Sequence, residues 1–170
     1  MKNLFLILIL ITFGFFQMLI AQFQNGEIPS RGILTYLKAD SIITELASEI
    51  KEKDASHWVF IYKERKLIVL YERDKNRINI VHAITRSSDL NKKEMKEILS
   101  ANWYKTNDVR YSFHDGWLWS NFSHKINTLT EEEFVDGIHQ VFTLAKNYGT
   151  YYMSIDPVWE EEKQDNIFND

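Results

Sequence analysis

Five histidines, His57, His82, His114, His124 and His139, are the side chains of this 170-residue sequence best suited to acid–base or metal chemistry. No pair shows the four-residue helical step or the short-loop spacing of a zinc site, and no His-Glu-x-x-His run exists. His82 falls on an apolar strand face, where a hydrogen-bonded core histidine is expected. His114-Asp115 falls at a hairpin tip, and Ser112, His114 and Asp115 are too close together to build a Ser-His-Asp geometry from one turn. An enzyme would need a cleft joining at least two of His82, His114, His124 and Asp115. The absence of cysteine removes disulfides, thiolate nucleophiles and thiolate zinc sites together. These residues predict a chain that is not an enzyme, with no catalytic residue, cofactor or metal. The other reading is a hydrolase whose histidines only the fold would assemble.

The aromatic residues carry more information. Trp58, Phe60 and Tyr62 share one face of a strand, and Trp117 and Trp119 share a face that continues to Asn121 and Ser123. Leu118 and Phe122 take the other face of that second strand. Packing in a core is the plain expectation for such residues. The sharper one is a binding surface of Trp117, Trp119, Trp58, Phe60 and Tyr62 for a peptide or a glycan. Lys92, Lys93 and Lys96 read as a solvated helix face. With a net charge of −4 the chain lacks the basic excess that a nucleic-acid backbone rewards.

Two helices position the second aromatic pair, and both open with the same signal. Leu90 precedes Asn91, Glu94 and Met95, and Leu129 precedes Thr130, Glu133 and Phe134. Each is a capping box with a hydrophobic staple. Between them, Val109 to Phe113 and Trp117 to His124 read as strands joined at Asp115-Gly116, a pair suited to a two-residue turn with positive φ. Upstream, Ile42, Ile43, Leu46, Ala47 and Ile50 mark a helix from about Leu37 that Lys51 to Asp54 ends in charge. Trp58 to Tyr62 and Leu67 to Tyr71 are strands without a polar face, and Ile78 to Thr85 is a third. The last helix runs through Phe134, Ile138, Val141 and Ala145 to a stop at Tyr148-Gly149. The fold class is α+β in the order α-β-β-β-α-β-β-α, a twisted antiparallel sheet of about five strands with helices packed on one side.

The N-terminus has the layout of an export signal. Met1-Lys2-Asn3 leads into the apolar run Leu4 to Ile20, and Ala21-Gln22 forms the junction. Cleavage after Ala21 would leave a periplasmic or secreted protein without membrane contact. Leu4 to Ile20 is also near the shortest span that crosses a bilayer, roughly 17 residues, so an uncleaved anchor is the alternative. The expected divisions are 1–21 signal peptide, 22–36 flexible lead-in, 37–149 folded domain and 150–170 acidic tail. From Pro157 the tail holds Glu160, Glu161, Glu162, Asp165 and Asp170 against Lys163, a composition that predicts disorder.

This order resembles the YbjN family and the related class I chaperones of type III secretion, over roughly Leu37 to Tyr148. Three stretches carry the likeness: Leu90, Met95, Ile98, Leu99 and Asn102; Val109 to Phe113 turning at Asp115-Gly116 into Trp117-Leu118-Trp119; and Leu129-Thr130 with Glu133-Phe134. The resemblance implies a helix-covered antiparallel sheet that often forms homodimers, apolar surface offered to a partly unfolded partner chain, and no catalytic residues. Together these readings predict an exported YbjN-like domain acting by protein–protein association, as a homodimer with an unidentified protein partner. A periplasmic module binding glycan or peptide through its surface aromatics is the alternative.

Overall fold

The computed structural model describes residues 32–156. Helix α1 (Tyr36–Leu46) is capped by Thr35, whose Oγ1 accepts the Lys38 amide at 3.3 Å, and it buries Ala39 and Ile43. Four strands follow: β1 (Glu49–Lys53), β2 (His57–Tyr62), β3 (Arg65–Glu72) and β4 (Arg77–Arg86). Helix α2 (Lys92–Tyr104), the hairpin β5 (Val109–His114) and β6 (Trp117–Lys125), and helix α3 (Glu131–Lys146) complete the domain. The sheet has the order β1-β2-β3-β4-β6-β5, with every neighbouring pair antiparallel.

Both capping boxes form. Asn91 Oδ1 accepts the Glu94 amide at 3.0 Å, and Glu94 Oε2 accepts the Asn91 amide at 2.8 Å. Thr130 and Glu133 do the same at the start of α3, at 3.2 and 2.8 Å. Replacing Thr130 by Ala removes the acceptor for one helical N–H and should cost about 1 kcal/mol in a urea melt. At the β5–β6 turn Asp115 and Gly116 have φ of 47° and 75°, the paired positive values of a type I′ hairpin. The β2–β3 turn adopts the same geometry without glycine, at Lys63 (φ 45°) and Glu64 (φ 68°). A side chain in the left-handed region costs roughly 1–2 kcal/mol. Glu64→Gly should therefore raise stability by about 1 kcal/mol, also read by urea melt.

Three boundaries differ from the sequence expectation. Helix α1 stops at Leu46, and Glu49–Lys53 is a sixth strand rather than the helix's charged end. Each residue of β1 is exposed, and a bulge between Ile50 and Glu52 bends it against β2. Charged residues suit a free sheet edge because they discourage pairing with another chain. Residues 32–35 of the lead-in are held in place: Leu34 is buried and its amide donates to Leu129 O at 2.8 Å. Residues 150–156 fold back rather than joining a tail. The Ser154 amide donates to Lys105 O at 3.3 Å, and Ser154 Oγ accepts the Asn107 amide at 3.0 Å. The signal segment, residues 22–31 and the tail from Pro157 lie outside the described residues.

The core lies between one face of the sheet and helices α1 and α3. Trp58, Phe60, Leu67, Val69, Ile78 and Ile80 meet Ile43, Phe134, Ile138 and Val141 there. A Cβ at Gly137 would sit 3.1 Å from the Phe122 ring and 3.2 Å from Ile80 Cδ1, so glycine lets α3 close on β4 and β6. Helix α2 instead guards the β5 edge. Asn102 Oδ1 accepts the Tyr111 amide at 2.8 Å, and its Nδ2 donates to Tyr111 O at 2.9 Å, so one side chain pairs with the edge as a strand would.

Candidate binding surface

Alternation along the strands sorts the aromatic residues onto opposite faces. In β2, Trp58 and Phe60 are fully buried and Tyr62 nearly so, all on the helix-covered side. Trp58 stacks on Tyr36 with centroids 4.8 Å apart, and its Nε1 donates to Asp40 Oδ1 at 2.9 Å. Hydrogen bonds from Lys53 and then from Trp58 hold the Asp40 carboxyl below its usual range. Trp58, Phe60 and Tyr62 are thus core residues of this fold, and the expected surface role does not fit them. The reason is register: Trp58 pairs with Val69 and Phe60 with Leu67, both inward-facing.

The other face has no helix over it among the described residues. Val59 and Ile61 of β2, Ile68 and Leu70 of β3, Val81 of β4 and Trp119 of β6 all point to that side. Register continues it across the sheet, with Val59 beside Ile68, Ile68 beside Val81 and Val81 beside Asn121. A shallow depression of about 280 Å³ is floored by Ile68, Leu70, Val81 and Trp119 and edged by Asn79, Asn121, Ser112 and His114. Trp117 and Trp119 are half-buried on this face. The Arg86 guanidinium sits 4.0 Å from the Trp117 ring centroid, and Trp119 Nε1 donates to His114 O at 3.1 Å. Asn121 Oδ1 is buried there with no hydrogen-bond partner among the described residues. Val59, Ile61, Ile68, Leu70 and Val81 were not singled out in the sequence as site residues. The signal for the first four is the lack of a polar face in β2 and β3, whereas Val81 joins them through its pairing with Ile68.

The histidines are dispersed. His57 lies between Asp54 and Glu52, at 3.0 Å through Nδ1 and 3.1 Å through Nε2, so both ring nitrogens are engaged. His114 is exposed at the hairpin, 3.4 Å from Asp115, while His124 stacks on Phe122 with centroids 6.0 Å apart. His139 Nδ1 is 3.3 Å from the Tyr62 hydroxyl. His82 is buried and donates from Nδ1 to Lys66 O at 2.8 Å. Burial is the main cause that lowers its pKa below the ordinary 6.5, with Arg65 and Lys66 adding to the effect. A lowered folded value favours the neutral ring, so its stabilisation is complete above 6.5 and is lost as pH falls through the folded value. His82→Gln should therefore unfold with a flatter pH dependence than the parent below about pH 6.5, measured by denaturant melts across that range.

No protein-family model matches this chain, and no curated protein matches it. Solved structures do share its fold. The HopA1–SchA chaperone–effector complex is similar with a TM-score of 0.52 at 9% identity, covering 66% of this chain and 90% of that chain. The ExsC–ExsE complex is similar at 0.50 and 11% identity, covering 65% and 86%. The Yersinia pestis type III secretion chaperone SycH, in complex with a fragment of YscM2, is similar at 0.50 and 12% identity, covering 66% and 97%. At these identities the likeness is one of fold alone.

Proposed function

We propose that this chain is an exported, non-enzymatic YbjN-like domain that works by protein–protein association, pairing with a second copy and holding a protein partner in a chaperone-like or regulatory role. One observation carries the reading: among the described residues, helices cover the six-stranded sheet on one side, while the other side carries the aliphatic row from Val59 and Ile61 to Val81. Burying such a surface contributes roughly 25 cal/mol per Å² before the entropy of association is counted. The similar structures lend support, since all three are complexes and two of them hold a chaperone with its bound partner, an effector in one and a fragment of YscM2 in the other. Export rests on the Lys2 start, the Leu4 to Ile20 run and the Ala21-Gln22 junction. N-terminal sequencing of the cell fractions should find Gln22 first; full-length chain in the membrane would favour the anchor.

Sedimentation of two chains, ending at Asp170 and at Asp156, tests the association. Both should dimerise, with little weakening at high salt, because screening acts on charge and not on apolar burial. Two monomers at all concentrations would remove the claim. A dimer of the longer chain alone would place the contact in the acidic tail. A glycan or peptide on Trp119 is the second reading, favoured by the unpartnered Asn121 Oδ1 on the same face. It calls for a change in tryptophan fluorescence with the ligand.

A further inference from the structure

Helix α2 presents a second apolar surface, separate from the open sheet face. Only Ile98 and Ala101 are buried along it. Trp103 is 88% exposed, Leu99 67% and Tyr104 63%, and Met95 is exposed as well. At 100° per residue, Lys92, Lys96, Leu99 and Trp103 fall on one line along the helix, with Met95 on one flank and Lys93, Ser100 and Tyr104 on the other. These eight positions include three lysines and no acidic residue. The carboxylates of α2 lie beyond the Lys93 and Tyr104 flank: Glu94 is taken up in the cap, and half-buried Glu97 lies with it toward Gly149 and Tyr152, where Lys93 borders both.

Tryptophan and tyrosine prefer the level of lipid headgroups, where a ring can be apolar on one side and wet on the other. Lysine stems lie along apolar surface while the ammonium reaches outward to phosphate. Interfaces between proteins are depleted in lysine at their centres, yet Lys92 and Lys96 stand in the middle of this stripe. Among the described residues no helix is long and apolar enough to cross a membrane, and α2 has the pattern of a helix that lies along one. We propose that α2 docks on an anionic bilayer surface, with Leu99, Trp103 and Tyr104 in the headgroup boundary and Lys92, Lys93 and Lys96 on lipid phosphates. This goes beyond the protein-association reading and uses a different face, and it departs from the expectation of no membrane contact after cleavage.

The test uses the chain from Gln22, the form that cleavage after Ala21 leaves, because Leu4 to Ile20 would itself enter a bilayer. It is floated with phosphatidylcholine vesicles, with and without about one third phosphatidylglycerol. Binding should need the anionic lipid and weaken at high salt, since each lysine near such a surface is worth roughly fivefold in affinity. Trp103→Ser and the triple change of Lys92, Lys93 and Lys96 to Gln should each weaken binding at least about tenfold, with unchanged circular dichroism and melting. Replacing Ile68 by Asp on the sheet face should leave vesicle binding intact, which separates this proposal from the one above. Absence of binding to anionic vesicles, or binding that Trp103→Ser leaves untouched, overturns it. Loss of a dimer in Trp103→Ser without any vesicle binding also overturns it and makes the stripe a contact between copies.

Discussion

Trp58→Ala should lower the unfolding free energy by about 3–5 kcal/mol, the range for removing a large aromatic side chain from a core. The indole is fully buried, stacked on Tyr36 and edge-on to Tyr71 at 6.1 Å. Its loss leaves a cavity between α1 and the sheet and takes a hydrogen-bond donor from Asp40, which keeps Lys53 at 2.5 Å. Trp58→Phe should recover most of the packing and not the hydrogen bond, so its cost should be clearly smaller. Urea melts of both variants give the comparison. A cost below about 1 kcal/mol for the alanine variant would mean the ring is not in the core, contrary to its register with Val69.

The second large effect falls on association and not on stability. Ile68→Asp places a carboxylate at the centre of the open face, between Val59 and Val81. A charge that must be desolvated unpaired opposes burial strongly. Self-association should weaken at least about tenfold, while the melt shifts by no more than about 1 kcal/mol because no helix among the described residues covers half-buried Ile68. Sedimentation and urea melts of the same sample separate the two effects. A variant that unfolds instead would show Ile68 packed within the domain.

Much of this architecture was legible where local chemistry decides the outcome. Asn91-x-x-Glu94 and Thr130-x-x-Glu133 name their own helix starts, and Asp115-Gly116 names its turn, because each depends on residues three or fewer apart. Strand β1 was hidden because Glu-Ile-Lys-Glu-Lys has no apolar alternation, and an exposed edge needs none. The face of β2 was harder to read. Trp58, Phe60 and Tyr62 alternate with Val59 and Ile61, so both faces are apolar and only pairing and helix contact decide which is core. Trp117 and Trp119 gave a better cue, since Asn121 and Ser123 continue their face in polar residues. On α2, spacing groups Met95 with Ile98 and Leu99. The contact that sets the helix's rotation is Asn102 on the β5 edge, and it leaves Met95 and Leu99 outside.

The chain has no cysteine, so single thiols report directly on which face is open. Ile68→Cys and Val69→Cys stand next to each other in β3 and point to opposite sides. Their labelling rates with a thiol reagent, measured over a range of protein concentrations, test the central claim. The expected result is fast labelling of Ile68→Cys in dilute solution that slows as concentration rises, with Val69→Cys labelled only through unfolding. Labelling of Ile68→Cys as slow as that of Val69→Cys in dilute solution would contradict the open face. A fast rate that does not change with concentration would contradict association through it.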